Sequence, residues 1–179
     1  MIIGIAGTLG AGKGTVVEYL KTKGFVHYSA SGYLRQVIES EGEVPNRESY
    51  SALATKIRNA DEAGLSKILY HQAEKNGDKK VIIEALHDVG EAQYILEVGG
   101  LLLGVDVDPK IRYARQQVRG SEKDAVTFDE FLVQIAREEE GGGKHNIREA
   151  INLADHTIMN DGTIEELHSK VETWLQTLT

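Results

Sequence analysis

The stretch GTLGAGKGT, residues 7–15, combines four glycines with a single lysine. Gly7, Gly12 and Lys13 match the GxxxxGK pattern of a phosphate-binding loop. In such a loop the glycines let backbone N–H groups approach phosphate oxygens, the following helix adds a positive dipole, and the lysine neutralises the β- and γ-phosphates. The alternative interpretation is a chance glycine-rich turn. The nucleotide-binding residues predicted in this loop are Gly7, Leu9, Gly10, Ala11, Gly12, Lys13, Gly14 and Thr15.

The residues around the loop favour a functional site over a chance turn. An apolar run, MIIGIA, precedes the loop, and a helical pattern, KGTVVEYLKTK, begins at its lysine. Four further apolar runs are separated by helical patterns, and capping patterns predict helix starts after Asp108, Thr127 and Thr163. This alternation predicts a three-layer α/β fold with a central five-stranded parallel sheet, whose ligands lie beyond the carboxyl ends of the strands. The predicted strands are 1–6, 25–29, 80–86, 101–107 and 156–160.

The composition limits the classes of partner. The chain has 179 residues, a net charge of −8 and no cysteine. These properties predict one domain without disulfides, and the acidic balance disfavours nucleic-acid binding. No apolar run approaches the roughly 20 residues that span a bilayer. The histidines lack the paired spacing that is typical of a zinc site. We therefore expect a cytoplasmic protein that binds small phosphorylated molecules and neither nucleic acid nor membrane, with its oligomeric state left open.

The loop departs from the usual pattern at Gly14, where serine or threonine is common, and its hydroxyl comes one residue later, at Thr15. This form, GxxGxGKGT, resembles the loop of adenylate kinases and related nucleoside monophosphate kinases. The resemblance implies the P-loop NTPase fold over residues 1–179, with ATP and Mg²⁺ as cofactors. In that family the threonine lies near the α-phosphate, and magnesium depends on water and substrate oxygens rather than on a loop hydroxyl.

The segment YSASGYLR, residues 28–35, resembles the STGDxLR segment of the same kinases. The resemblance implies that Arg35 binds the phosphate of the acceptor, and that Ser29 or Ser31 contacts the acceptor base or caps the helix. A solvated helix start is the alternative for Arg35. The resemblance also implies a mobile acceptor-binding segment over residues 30–76.

Arg58 ends the helical pattern ESYSALATKIR within that segment. In the resembled kinases a second arginine in this region would form a forked contact with the acceptor phosphate. A surface arginine near a helix carboxyl end is the alternative.

An acidic residue closes the third apolar run, VIIEALHD. Glu84 in this run suits a role in binding magnesium through water or in orienting the acceptor. Asp106, which ends the fourth run, competes for the metal role. Members of the resembled family have an arginine three residues after the acid, on the acceptor phosphate, where this chain has His87. His87 is therefore a predicted substrate-binding residue that departs from the family pattern.

Three arginines in DPKIRYARQQVRG are spaced for one face of a helix. They are Arg112, Arg115 and Arg119. In the resembled kinases such arginines belong to a lid, here residues 112–145, which closes over the transferring phosphoryl group and stabilises its charge. A solvated helix face that pairs with nearby acids is the alternative.

The stretch NDGT follows the fifth apolar run. It resembles the loop that packs against the donor adenine, which makes Asn160 and Gly162 predicted nucleotide-binding residues. The longer stretch ADHTIMNDGTIEEL is also similar to the carboxyl-terminal part of dephospho-CoA kinases.

Together, these resemblances imply a magnesium-dependent phosphotransferase that moves the γ-phosphoryl group of ATP to a nucleoside or deoxynucleoside monophosphate. Phosphoryl transfer of this kind needs positioning and charge neutralisation rather than a protein nucleophile. Two alternatives stay open. The first is a dephospho-CoA kinase, in which a ribose hydroxyl is the acceptor. The second is a nucleotide-dependent assembly or switch ATPase without a metabolite acceptor.

Overall fold

A computed structural model of the chain describes residues 1–8, 10–86, 88–119, 127–140 and 146–178. Five strands form one sheet in the order β2-β3-β1-β4-β5, and every neighbouring pair is parallel. This arrangement confirms the predicted α/β class and the predicted five-stranded parallel sheet. The strands are β1 (Ile2–Gly7), β2 (Val26–Ser29), β3 (Val81–Leu86), β4 (Leu101–Asp106) and β5 (His156–Met159).

Helices follow each of the strands. The predicted helix starts after Asp108, Thr127 and Thr163 are confirmed, and Thr163 forms a capping box with Glu166. The helices of the described residues are α1 (Lys13–Thr22), α2 (Ala30–Ser40), α3 (Arg47–Ala60), α4 (Gly64–Asn76), α5 (Val89–Glu97), α6 (Pro109–Arg119), α7 (Phe128–Glu140), α8 (Ile147–Asn152) and α9 (Ile164–Gln176).

The central strands are apolar throughout because both faces of the sheet are covered. Ile3 and Ile5 of β1 belong to the core under α1 and α9, where Trp174 is also buried. Ala6 of the same strand lies in the core on the other face, which α4, α5 and α8 cover. In the described part of the chain, no helix is long and apolar enough to cross a membrane.

All five strands run in the same direction, so their carboxyl ends meet at one edge of the sheet. The loop after β1 lies at the middle of this edge, because β1 is the central strand. The segments after β2 and β3 lie on one side of it, and those after β4 and β5 lie on the other. The fold therefore brings the stretches singled out by their sequence to a common edge, which is where ligands bind in such sheets.

Candidate nucleotide-binding site

The loop after β1 turns sharply into helix α1. Gly10 and Gly12 have positive φ angles of 82° and 96°, which side chains with a Cβ rarely adopt. A Cβ on Gly12 would also lie 2.3 Å from Nδ2 of Asn160. Glycine is thus required at position 12 both by the backbone conformation and by close packing. Gly14, in contrast, has open space where a Cβ would stand.

Lys13 is the first residue of α1, and its side chain folds back over the loop. Its Nζ donates to the carbonyl oxygens of Gly7 at 2.6 Å and Thr8 at 3.0 Å. The ammonium group is thereby held beside the first residues of the loop, at the amino end of α1. A helix amino end, backbone N–H groups and a lysine are the three components that bind phosphate in such loops, so these residues fit the phosphates of a nucleotide.

Asn160 connects the loop after β5 to the phosphate loop. It is 7% exposed, its Nδ2 donates to the carbonyl of Ala11 at 2.9 Å, and its backbone N–H donates to the carbonyl of Asp106 at 2.7 Å. The structure thus places Asn160 as a support of the phosphate loop. Gly162 lies farther along the same connection and is exposed.

The arginines of α6 have different surroundings. Arg112 is 5% exposed, and its guanidinium carbon lies 5.5 Å from the centre of the Phe131 ring of α7, a cation–π contact. Nη2 of Arg115 donates to the carbonyl of Gly162 at 3.1 Å. Arg119 ends α6, and its side chain lies outside the described residues. The first two arginines therefore join α6 to α7 and to the loop after β5.

The two carboxylates considered for magnesium both have basic partners. Glu84 accepts a hydrogen bond from the imidazole of His27, with Nε2 and Oε2 2.8 Å apart, and both side chains are about one-fifth exposed. Asp106 forms an ion pair with Arg148 of α8 and accepts from the N–H of Val107. Glu84 lies on β3 beside β1, and Asp106 ends β4 on the other side of β1. The two carboxylates thus stand on opposite sides of the strand that leads into the phosphate loop.

Among the described residues, no three histidine, aspartate or glutamate side chains converge as metal ligands. Mg²⁺ typically keeps several waters and binds phosphate oxygens with the help of one or two carboxylates. One carboxylate is therefore enough for a magnesium ion that arrives with a nucleotide, and Glu84 and Asp106, which flank β1, are the two candidates.

The serines after β2 form the start of α2. Ser29 is the N-cap, because its Oγ accepts from the N–H of Gly32 at 3.1 Å, and it lies 2.8 Å from Oγ of Ser31. Arg35 lies on α2, and its Nε donates to the hydroxyl of Tyr50 on α3 at 3.1 Å. This hydrogen bond raises the pKa of Arg35. Arg35 is exposed, so its guanidinium is accessible to an anion from solvent.

Arg58 has a different environment from Arg35. Its Nε and Nη2 donate to the two carboxylate oxygens of Glu91 on α5, at 2.9 and 3.4 Å. The side chain of Arg58 is 12% exposed, and that of Glu91 is fully buried. The fork that the resemblance assigned to a phosphate therefore holds a protein carboxylate in this structure.

Three residues of this region were missed by the sequence reasoning: Thr8, Glu91 and Arg148. Thr8 occupies a variable position of the phosphate-loop pattern, and Arg148 lies just beyond the predicted lid, so no family motif indicated either residue. Glu91 lies 33 residues from Arg58 along the chain. Ala92 and Ile95 follow Glu91 at helical spacing, which indicates that Glu91 lies at the edge of a buried helix face. An acidic side chain on such a face needs a basic partner.

Two predicted site residues, Leu9 and His87, lie outside the described residues. The same holds for residues 120–126 and 141–145 of the predicted lid. The roles expected for them stay predictions.

The phosphate loop, the strand order and the helix layers define a P-loop protein with the three-layer fold of small-molecule kinases. The structure resembles that of shikimate kinase from Bacteroides thetaiotaomicron with a TM-score of 0.61 and 13% identity, over 98% of both chains. It resembles dephospho-CoA kinase from Campylobacter jejuni with a TM-score of 0.58 and 13% identity, over 99% of this chain and 97% of that one. At this level of identity the likeness shows the fold, and it confirms the predicted P-loop kinase-like architecture.

Sequence comparisons place the chain more narrowly. An AAA domain family model matches residues 3–141. The UPF0200 protein of Sulfurisphaera tokodaii is 30% identical over 177 residues, covering 98% of this chain and 96% of that protein. The UPF0200 protein of Pyrococcus horikoshii is 30% identical over 179 residues, covering 96% and 94%. The chain belongs to the AAA domain family, and it is also a member of the UPF0200 proteins.

Proposed function

We propose that the protein is an ATP-dependent phosphotransferase that acts on a small acceptor, with a nucleoside or deoxynucleoside monophosphate as the first candidate. The observation that carries the proposal is the geometry of the phosphate loop. The Lys13 ammonium lies 2.6 and 3.0 Å from two loop carbonyls, and Gly12 packs against Asn160 where any side chain would clash. Lys13 thereby places an ammonium group beside the loop at the amino end of α1, where phosphate oxygens would bind.

The donor nucleotide is assigned to the loop after β1 and the connection after β5. Backbone N–H groups and Lys13 bind the phosphates, and Lys13 neutralises charge that develops during transfer. Asn160 holds the loop through the Ala11 carbonyl. The connection after β5, which contacts the loop through Asn160 and includes Gly162, is assigned to the base. Magnesium bound with the nucleotide would supply charge neutralisation of the phosphates, and Glu84 or Asp106 would hold it.

The acceptor is assigned to the segment after β2. Arg35 is exposed and charged at the start of this segment, which suits a contact with an acceptor phosphate. Ser29 and Ser31 lie at the amino end of α2, where a helix favours negative charge. The arginines of α6 are assigned to the transferring phosphoryl group, and Arg112 and Arg115 would leave their contacts with Phe131 and the Gly162 carbonyl to reach it.

The buried pair of Arg58 and Glu91 favours a second candidate, a dephospho-CoA kinase. A monophosphate acceptor needs basic groups, and here one of the two predicted arginines already binds a carboxylate. An acceptor that reacts through a ribose hydroxyl makes a smaller demand for positive charge at this position. In that case Glu84 would orient the hydroxyl.

The test is a phosphotransfer screen with the purified chain, ATP and magnesium. The acceptors are each nucleoside monophosphate, each deoxynucleoside monophosphate and dephospho-CoA, and Lys13→Ala serves as the inactive control. Conversion of a monophosphate acceptor to its diphosphate, counted separately from the ADP that ATP leaves in every reaction, supports the first candidate, and phosphorylation of dephospho-CoA supports the second. ATP hydrolysis that no acceptor accelerates would contradict both and indicate an assembly or switch ATPase.

A single variant separates the two candidates further. His87→Arg restores the arginine that the resembled monophosphate kinases have three residues after the acid. If the acceptor carries a phosphate there, the variant binds monophosphates more tightly than the wild type near neutral pH, because arginine offers a charged planar fork. Unchanged monophosphate binding together with turnover of dephospho-CoA contradicts the first candidate.

A further inference from the structure

Thr8 has an unusual hydroxyl for its position. It is the first residue after β1, directly inside the phosphate loop, and it is 3% exposed. Its Oγ1 is buried without a hydrogen-bond partner, and no other buried side-chain nitrogen or oxygen in the described ranges shares this property. Buried polar atoms in folded proteins nearly always have a partner, since leaving one unpaired is costly. Valine has the same shape and would avoid this cost. The hydroxyl of Thr8 therefore indicates a hydrogen-bond partner that is present only when a ligand is bound.

The location of Thr8 indicates what that partner is. The carbonyl of the same residue accepts from Nζ of Lys13 at 3.0 Å. Lys13 is the group that reaches the terminal phosphates of a nucleotide in such loops, so Thr8 lies within a side chain's reach of the same phosphates. The carbonyl of Thr8 also accepts from the N–H of Ala11 at 3.2 Å, which holds Thr8 in the tight turn of the loop. A hydroxyl can donate to an anionic oxygen, and such hydrogen bonds are stronger than those between neutral groups.

We propose that the Thr8 hydroxyl is a nucleotide-binding group that donates its hydrogen bond to an oxygen of the terminal phosphate of a bound nucleoside triphosphate. This inference rests on the proposed function and adds a discriminating contact to it. Because the contact belongs to the terminal phosphate, Thr8 selects the triphosphate over the diphosphate. The hydroxyl thereby becomes satisfied only in the loaded protein.

The experiment compares Thr8→Val, Thr8→Ser and the wild type, all as full-length chains. Valine keeps the branched shape and removes only the hydroxyl, whereas serine keeps the hydroxyl and removes a methyl group. Binding of the non-hydrolysable triphosphate β,γ-imido-ATP and of ADP is measured by calorimetry in the presence of magnesium. Thermal unfolding is measured without any nucleotide.

We expect Thr8→Val to bind the triphosphate analogue about ten-fold or more weakly than the wild type, and ADP with little change. Its melting temperature without nucleotide should equal or exceed that of the wild type, because no hydrogen bond of the empty protein is lost. Thr8→Ser should retain most of the triphosphate affinity. This combination of weaker binding and undiminished stability is not expected of a residue with a purely structural role.

Equal binding of the triphosphate analogue by Thr8→Val and the wild type would overturn the proposal. A melting temperature of empty Thr8→Val several degrees below that of the wild type would also overturn it, since the hydroxyl would then have a structural role. A wild type that binds neither nucleotide contradicts the proposed function and this inference together. A wild type that binds both, with an unaffected valine variant, contradicts this inference alone.

Discussion

The two sides of the sheet edge differ in how their predicted ligand-binding residues are held. On the side proposed for the donor, close packing fixes the phosphate loop, since Gly12 lies against the Asn160 amide with no room for a Cβ. On the side proposed for the acceptor, Arg35 is exposed and hydrogen-bonded to Tyr50, whereas Arg58 is bound to the buried Glu91. The side proposed for the donor thus has a fixed loop with a lysine in place, whereas on the side proposed for the acceptor one of the two arginines is already paired with a protein carboxylate.

This difference teaches how far a family pattern can be carried over. The donor loop depends on backbone conformation and close packing, which the sequence motif itself encodes. The site proposed for the acceptor depends on which basic side chains can bind an anion, and the buried Glu91 already occupies Arg58. Four variants test the contrast, from the largest expected effect on turnover or substrate binding to the smallest.

The largest effect is expected from Lys13→Ala on the donor side. Turnover should fall by about 100-fold or more, because a charge that stabilises the transferring phosphoryl group is lost. The melting temperature should change little, since Lys13 is only partly buried and lysines outside the core contribute little to stability. The measurement is steady-state phosphotransfer with thermal unfolding of the same samples. The matched control is Lys21→Ala on the exposed end of the same helix, and equal turnover in both variants would refute the phosphate-loop assignment.

Gly12→Ala should come next, again on the donor side. The backbone at position 12 is left-handed, with φ at 96°, and residues with a Cβ rarely adopt this conformation. The added methyl group would also lie 2.3 Å from the Asn160 amide nitrogen. We expect a loss of about 2 kcal/mol in the free energy of unfolding and a matching loss of nucleotide affinity. Gly14→Ala is the control, because its methyl group meets nothing within 4 Å. Denaturant unfolding of the two variants checks the prediction, and similar stabilities would show that the Asn160 contact is not restrictive.

Arg35→Ala should have a smaller effect, confined to the acceptor. The Michaelis constant of a phosphorylated acceptor should rise about ten-fold, while that of ATP stays within about two-fold, because the lost charge-assisted contact belongs only to the acceptor. The control is Arg47→Ala, which removes another exposed arginine from the same segment. A proportional rise of both Michaelis constants for Arg35→Ala would remove Arg35 from the acceptor site.

The smallest effect on substrate binding is expected from Arg58→Ala. The acceptor Michaelis constant should change by less than about three-fold, because Glu91 already neutralises this guanidinium. The free energy of unfolding should nevertheless fall by about 3 kcal/mol, since the variant removes the guanidinium that is bound to the fully buried carboxylate of Glu91. Kinetics and denaturant unfolding together check this split. An acceptor effect as large as that of Arg35→Ala would show that the ion pair opens and that both arginines hold the acceptor.

Much of the architecture could be predicted because it follows from local patterns. Apolar runs marked all five strands, and caps such as Asp108 and Thr163 marked helix starts that the structure confirms. The phosphate loop could be located because its glycines serve backbone conformations that few other residues adopt. In each case the cause lies within a few residues of the effect.

The pairings across the fold could not be predicted in the same way. Glu91 and Arg58 meet only because α5 packs against the segment that ends α3, and Arg148 meets Asp106 because α8 lies near the end of β4. The burial of Thr8 likewise depends on neighbours that the sequence does not identify. These contacts decide which charges remain for a substrate, and they are set by packing between distant parts of the chain.

The central position of β1 has an evolutionary consequence. Because β2 and β3 lie on one side of β1 and β4 and β5 on the other, the elements that would hold the acceptor and the donor are attached to opposite halves of the sheet. Substitutions in the segment that follows β2 can change the acceptor without altering the unit formed by the phosphate loop and Asn160. Under the proposed function, lineages that inherit the loop and Asn160 intact can diverge in the acceptor, so common descent in this fold would preserve the phosphoryl donor rather than the product.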